Sequence, residues 1–410
     1  MGSSLNTAYL LERLSQTLER LETLMAIFVS NRYLPRRILL LTGCFARAAA
    51  EKHSITRLWK QSSRLVSRSI TQNAGDHGEH YITRDKKEYW AMFYSAAGGG
   101  VLIALMALFK IYLGSIIDDK VWKGIAEGLN YGLGFMVIFM LHFTVATKQP
   151  AMTAARFAEA VEKTPQGKSV NMKLAQLLVD VFRSQSIAVL GNVLIAMGLA
   201  ALIAFGYQYK TGEPLMNADQ IAYQLHSIDP FAGTLWFAAI AGVWLFCSGI
   251  ISGYFDNRSN YLNMRMRLTQ HPLLKKLMSE KSRVKFANYM HENYGSLIGN
   301  LCFGMLLGIT GVIGYLMHLP LDIRHVAFSS ANVGYIAVSG QFTYSLLLQC
   351  IGFVLLIGLV NLIVSFSLTL WVALRSLNAE IDSWWPIWHE VCQIVKKRPL
   401  SLFLPVQLDK

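Results

Sequence analysis

Two short clusters in this chain combine residue types that could do chemistry. One is Asp322-Ile323-Arg324-His325, followed by Ser329, Ser330 and Asn332. The other is Asp256-Asn257-Arg258. In each, an acid and a guanidinium stand two residues apart beside the end of a long apolar stretch. Such a pair can serve a polar solute at a membrane surface, or simply cap a helix with an interfacial ion pair. A third grouping is a stripe of cations, Arg57, Lys60, Arg64 and Arg68, on one helical face, with no acid between Glu51 and Asp76. Cations near a membrane surface gain about 1 kcal/mol each from anionic lipid headgroups. The same stripe could neutralise nucleic-acid phosphates. The short distance to the first apolar stretch favours lipid.

The elements that must position these residues follow from where charge is missing. Of 410 residues, 53% are hydrophobic and 15% are charged, against about a quarter charged in soluble domains. Charge is dense in residues 1–90 and then thins. It is absent from Tyr89 to Phe109, Gly128 to Thr147, Ser184 to Tyr209, Pro230 to Phe255, Asn293 to Leu321 and His325 to Leu374. A helix needs about 20 mostly apolar residues to cross a bilayer. The last stretch is too long for one helix, so it holds two elements. Val326 to Gly340 is rich in small and polar residues, whereas Tyr344 to Val372 is strongly apolar.

The fold class expected is therefore all-α, a polytopic membrane protein with about six spans. The spans lie near 91–117, 125–147, 186–207, 231–252, 296–317 and 344–373. Residues 1–88 form a basic, helical cytoplasmic segment, 148–185 and 253–295 are amphipathic cytoplasmic loops, and 376–410 is a cytoplasmic tail. Residues 319–340 are a re-entrant or interfacial segment, with a seventh span as the alternative. The basic residues fix the orientation. The segments 1–90, 148–186, 253–296 and 375–410 hold 33 Lys and Arg, and the three intervening loops hold 4. Lys and Arg are retained on the cytoplasmic side, so both termini are expected there. The net charge of +13 is explained by this asymmetry before any nucleic acid is invoked.

Leu11, Leu14, Leu18, Leu21, Met25 and Phe28 share one helix face, which suits a core helix or pairing of two copies into a homo-oligomer. Glycines recur at Gly124, Gly128 and Gly132, at Gly249 and Gly253, and at Gly304 and Gly308. This spacing lets helix backbones approach closely. Polar residues inside the spans are few: Lys110, His142, Asn192, Asn300, Gln349 and Asn361. Lys110 is close enough to Asp118 to reach outward. The cysteines, Cys44, Cys247, Cys302, Cys350 and Cys392, are scattered, with no CxxC, so neither a disulfide framework, a metal site nor any other cofactor is expected. No repeat of 20–50 residues is evident.

Several longer motifs resemble a bacterial transmembrane family known as site-specific recombinases of the gonococcal crossover type. They include Glu79-His80-Tyr81-Ile82-Thr83-Arg84-Asp85, Glu88-Tyr89 and Ala96-Ala97-Gly98-Gly99-Gly100. Others are Lys148-Gln149-Pro150-Ala151-Met152, Arg183-Ser184-Gln185, Gly253 to Arg258, and Leu319 through His325 to Asn332. The resemblance runs from about Ala8 to Leu377 and implies DNA recombination, and with it a location in a bacterial inner membrane.

The residues do not supply that chemistry. A tyrosine recombinase needs a Tyr nucleophile among cations that stabilise the charge building on phosphorus. Such enzymes carry a His-x-x-Arg pair, and none of the ten histidines here has an Arg three residues on. A metal-dependent nuclease needs clustered acids, and the 25 acids are scattered. The reading is a membrane scaffold or DNA-associated membrane protein, with anionic lipids as partners and DNA as a further partner at the cytoplasmic face. The alternatives are a small-molecule or lipid transporter built on the 319–340 segment, and a genuine recombinase. Asp322 and Arg324 are expected near the outer interface with His325 beside them. The segment is expected to pack where Gly304, Gly308 and Gly311 leave room.

Overall fold

The structure is a computed structural model. It describes residues 5–28, a few positions between 35 and 46, and residues 82–83, 85–146, 149–162, 168–339, 342–377, 381 and 383–404. The cationic stripe Arg57, Lys60, Arg64 and Arg68 lies outside the described residues. Among the described residues every regular element is helical.

The helices in chain order are α1 (Leu5–Phe28), α2 (Lys86–Ile116), α3 (Lys120–Met140), α4 (Gln149–Glu162), α5 (Lys168–Thr211), α6 (Ala218–Ile228) and α7 (Thr234–Tyr261). They continue as α8 (Met264–Gln270), α9 (Pro272–Leu277), α10 (Glu280–Met317), α11 (Val326–Ala337), α12 (Tyr344–Leu377) and α13 (Trp385–Lys397). Five of them, α2, α5, α7, α10 and α12, are long and apolar enough to cross a membrane. The chain is an all-α polytopic membrane protein. The helix α3 has 21 residues and carries Lys120, Lys123 and Glu127.

Local chemistry sets the ends of these helices. Asp85 caps α2 by accepting from the Glu88 N–H, and Asp119 caps α3 by accepting from the N–H groups of Val121 and Trp122. Asn217 and Gln220 form a capping box at the start of α6. Some boundaries differ from the expected spans. The helix α5 runs 44 residues without a break, so the amphipathic part near 170–182 and the following span are one rod about 66 Å long. The helix α3 stops at Met140, and residues 141–146 leave it through His142, whose φ is 57°.

The long helices form two halves of the same design. The first holds α2, α3, α4 and α5; the second holds α7, α10, α11 and α12. In each half the first helix runs parallel to the last. A Cβ on Gly100 of α2 would meet Asn192 and Ile195 of α5. A Cβ on Gly242 of α7 would meet Asn361 and Val364 of α12. The second long helix of each half breaks at a histidine in the left-handed region, His142 (φ 57°) and His318 (φ 52°). A short helix follows each break and packs on the other half. Gly334 of α11 lies against Met197 and Ala200 of α5. Fully buried Ala154 of α4 shares a core cluster with Leu370 and Ala373 of α12.

The halves run in opposite directions. The helix α3 is antiparallel to α2 across a three-residue turn. It is antiparallel to α10 as well, because Gly124 faces Val312 while Gly132 faces Leu301. The helix α10 is in turn antiparallel to α7, since Gly295 lies by Asp256 and Gly299 by Ser248. It follows that α7 opposes α2. The structure thus contains an inverted repeat of about 130–150 residues per copy, far longer than the periods that mark solenoids. The two halves meet where α3 crosses α10. A Cβ on Gly304 would overlap the backbone of Gly132, and one on Gly308 the backbone of Gly128. These glycines are therefore used for close helix approach.

Candidate functional site: a polar vestibule over a half-helix

Each break strands backbone groups that a continuous helix would satisfy, and inside a bundle they need partners. One asparagine per half supplies them. Asn192 of α5 donates to the carbonyls of Ala96 (2.5 Å) and Thr144 (2.9 Å) and accepts from Ala146 N–H (2.8 Å). Asn361 of α12 donates to the carbonyls of Ala238 (2.7 Å) and Arg324 (3.1 Å) and accepts from Val326 N–H (3.2 Å). The two side chains are fully buried or nearly so.

The second break opens on a cavity. From His318 the chain descends in extended form, passing Gly314, where the Leu319 and Leu321 carbonyls lie where a Cβ would be. It reaches His325, which is 2% exposed. The His325 ring lies 6.2 Å from that of Phe135 and 5.7 Å from that of Phe303. These two phenylalanines are some fourteen residues from the near ends of α3 and α10, about 21 Å down the bundle. The helix α11 starts there and climbs back. Val326 lies against Gly358 of α12, and Val333 shares a cluster with Cys350 and Val354. With 12 residues, α11 is about 18 Å long, too short to cross a bilayer. Seven of the first helix-forming positions, Val326 to Ala331 and Val333, are buried.

Above the start of α11 lies a cavity of about 500 Å³. Its walls come from α2, α3, α6, α10 and the 322–332 segment. Charges of both signs line it: Lys110, Lys123 and Arg324 against Glu127, Asp219 and Asp322. Lys110 pairs with Glu127 at 3.3 Å and stands 5.7 Å over the Tyr131 ring. Arg324 is held from several sides. It pairs with Asp322 at 2.6 Å, donates to the Ser227 carbonyl at 2.7 Å, and lies 5.4 Å from the Phe237 ring. In these two ion pairs, the Lys110 side chain is 39% exposed and the Asp322 side chain 37% exposed.

The structure brings together most of the first sequence cluster. Asp322, Arg324, His325, Ser329 and Asn332 all line the cavity. Ser330 does not; it is fully buried and bonds back to the Ala327 carbonyl. His325 is not at the interface beside Asp322 but at the deep end, because the extended segment drops the chain quickly. The room expected at Gly304 and Gly308 is taken by α3, and the segment instead uses Gly314, while Gly311 faces open space. The second cluster stays apart. Asp256 accepts from the Gly295 N–H at 2.9 Å, and Arg258 is exposed near the end of α7. From Phe237, beside Arg324, to Asp256 is about 28 Å along α7.

Sequence reasoning missed Lys110, Glu127 and Tyr131 as parts of this site. A signal was present. Lys110 precedes Asp118 by the same number of residues by which Glu127 follows Asp119, so a hairpin at that turn puts the two charges at one depth. No group of three or more His, Cys, Asp or Glu able to hold a metal ion occurs among the described residues.

Fold and cavity together define a multi-pass α-helical membrane protein with an inverted repeat and a polar vestibule inside its helix bundle. The chain belongs to the family described as site-specific recombinase, whose family model matches residues 1–405. No curated protein and no solved structure matches it.

Proposed function

We propose that this chain is a solute-binding membrane transport protein, and that its family description does not name its chemistry. The observation that carries this reading is the vestibule above α11. The short helix α11 starts within the bundle, its first N–H held by Asn361, and its positive end lies below a cavity lined by charges of both signs. Discontinuous helices at mid-depth are how membrane carriers hold charged groups of their substrates. A cavity of about 500 Å³ admits a molecule of amino-acid size and excludes a DNA duplex, whose major groove alone is about 12 Å wide. Half-exposed Lys110 and Asp322, paired with Glu127 and Arg324, suit a small solute carrying both charges. On a reading with six membrane crossings, α3 being the sixth, the vestibule opens on the side away from the basic loops.

Purified full-length protein should gain thermal stability with zwitterionic amino acids or glycine betaine and not with neutral hexoses. Binding stabilises by mass action, so the shift should grow with concentration and vanish in Asp322→Asn. No shift with any zwitterion would overturn the reading.

A second reading keeps DNA as a partner. The corner formed by α8, α9 and the start of α10 exposes Arg265, Arg267, Lys275, Lys276, Lys281 and Lys285. If this corner binds duplex, affinity should fall steeply with salt and lose slope when these cations become Gln. No binding at low salt would remove DNA from consideration.

A further inference from the structure

We infer that the vestibule selects zwitterions with a polar, uncharged tail, and that Ser329 and Asn332 of α11 with Gln224 of α6 form the subsite that reads the tail. This rests on the solute-binding reading above and deepens it, from a pattern of charges to a substrate class: α-amino acids bearing a hydroxyl or a carboxamide.

Two helices turn polar faces to the cavity. On α11, Ser329 and Asn332 stand three residues apart on one face. On α6, Gln220, Tyr223, Gln224 and Ser227 repeat at helical spacing along the wall. Another face of α6 seats it on α11. Ile221 shares a core cluster with Ile336, and Ile228 shares one with Val333. Gln224, Ser329 and Asn332 therefore line one space. Ser329 is 5% exposed, and Asn332 and Gln224 are half-buried. The Ser329 hydroxyl and the carboxamides of Asn332 and Gln224 make no hydrogen bond to another described residue. Their neighbours are tied. Ser330 donates to the Ala327 carbonyl at 2.8 Å, and Gln220 accepts from the Asn217 N–H at 3.0 Å.

Polar groups left over inside a bundle cost free energy unless something answers them. Water does so in an unoccupied vestibule. A solute that enters displaces that water, and its tail must replace the lost bonds. A hydroxyl or a carboxamide can donate and accept at once, as these three side chains require. An apolar tail of the same shape leaves the bonds unmade, and a site of this kind rejects it. None of the three carries a charge that would neutralise a charged tail, which burial penalises. The apolar wall residues offer little in exchange: Met216, Leu307 and Phe328 belong to a core cluster, and Ile111 and Ile323 pack against it. The subsite adjoins the charges that hold the two ends of the solute. The Tyr131 ring beneath Lys110 lies 4.3 Å from that of Phe328, the residue before Ser329.

Isosteric amino acids provide the test. Purified full-length protein is melted with threonine against valine, and with asparagine against leucine and aspartate. Expected is half-maximal thermal stabilisation by threonine at a concentration about tenfold or more below that of valine, and likewise by asparagine below leucine. Asn332→Leu and Gln224→Leu, on different helices, should each shrink the preference for threonine by about threefold or more. Where one variant fails to elute as the wild type does, the other carries the comparison. Equal half-saturation within both pairs overturns the inference, as does stronger stabilisation by aspartate than by asparagine, or an undiminished preference in both variants. The outcome is separable from the binding test. Thermal shifts with valine and threonine alike leave a vestibule that reads charge only. No shift with any zwitterion overturns the solute-binding reading itself.

Discussion

Asn192 and Asn361 make the same three hydrogen bonds to the same backbone positions of two chain segments that run in opposite directions. Each side chain joins a broken helix to a neighbouring one. Asparagine suits this place because its amide offers two donors and an acceptor in one plane. Aspartate cannot donate, and leucine can do neither.

The first expectation follows directly. Asn192→Leu and Asn361→Leu should each cost about 3 kcal/mol or more, because two buried carbonyls and one N–H lose their partner and unmade bonds of this kind cost about 1–3 kcal/mol each. Unfolding in detergent by denaturant would measure both. The symmetry requires similar losses. A large loss in one variant and none in the other would mean that the two breaks are not held alike.

Lys110 and Glu127 should behave as a unit. Glu127 is 13% exposed in its side chain, so Lys110→Met leaves a poorly solvated carboxylate behind. Breaking a buried pair from one side costs more than removing both charges. Lys110→Met should therefore lower stability clearly, and the double variant Lys110→Met, Glu127→Gln should recover at least half of the loss. A double variant worse than the single one would show that the pair does not act as described.

The glycines of the fifth apolar stretch should separate sharply. Gly304→Ala pushes a methyl into the Gly132 backbone and should abolish monodisperse protein on size exclusion. Gly311→Ala has open space and should elute as the wild type does. Equal behaviour of the two would contradict the crossing geometry.

At the opposite end, Arg183 ties the segment after α13 to the start of α2. Its guanidinium, 4% exposed, donates to the Thr83 carbonyl (2.8 Å) and the Ser401 carbonyl (3.5 Å) and pairs with Asp180 (2.9 Å). Tyr89 adds a bond of 2.7 Å to the Phe403 carbonyl. Arg183→Lys keeps the charge but cannot span these carbonyls. Limited proteolysis should then cut near residues 399–404 faster than in the wild type. Unchanged cleavage would show that the strap is held by its apolar contacts alone.

Much of the fold was legible because lipid burial leaves a coarse mark: charge vanishes over each long apolar stretch. The separate short helix α11 was also legible, since Val326 to Gly340 is too polar for a span and too apolar for a loop. Depth was not. An extended residue advances about twice as far as a helical one, so the short run from Leu319 to His325 travels from the rim to the middle of the bundle. No periodicity announces that. The end of α3 was hidden for a different reason. His142 to Ala146 is apolar enough to pass for helix, and tertiary partners, Asn192 and Ser95, satisfy the backbone groups that leave it. The inverted repeat left faint traces, Ala96-Ala97 before Gly100 and Ala238-Ala239 before Gly242, and Asn192 and Asn361 each followed by three aliphatic residues. Inversion hides such traces, because equivalent positions face opposite sides of the membrane and carry different charge.

The corner of α8 and α9 has no counterpart in the first half, where α2 and α3 are joined by three residues. That asymmetry has a consequence for biogenesis. A bundle built from two inverted copies is almost the same object upside down, so packing gives the insertion machinery little reason to prefer one orientation. The choice must come from outside the repeat. Arg265, Arg267, Lys275, Lys276, Lys281, Arg283 and Lys285 are concentrated in this one extra corner, a short loop of the kind in which positive charge bears on topology. The corner is ballast added on one side. Stripping it would narrow the excess of cations that residues 1–90, 148–186 and 375–410 also supply, and so the margin by which newly made chains choose one orientation.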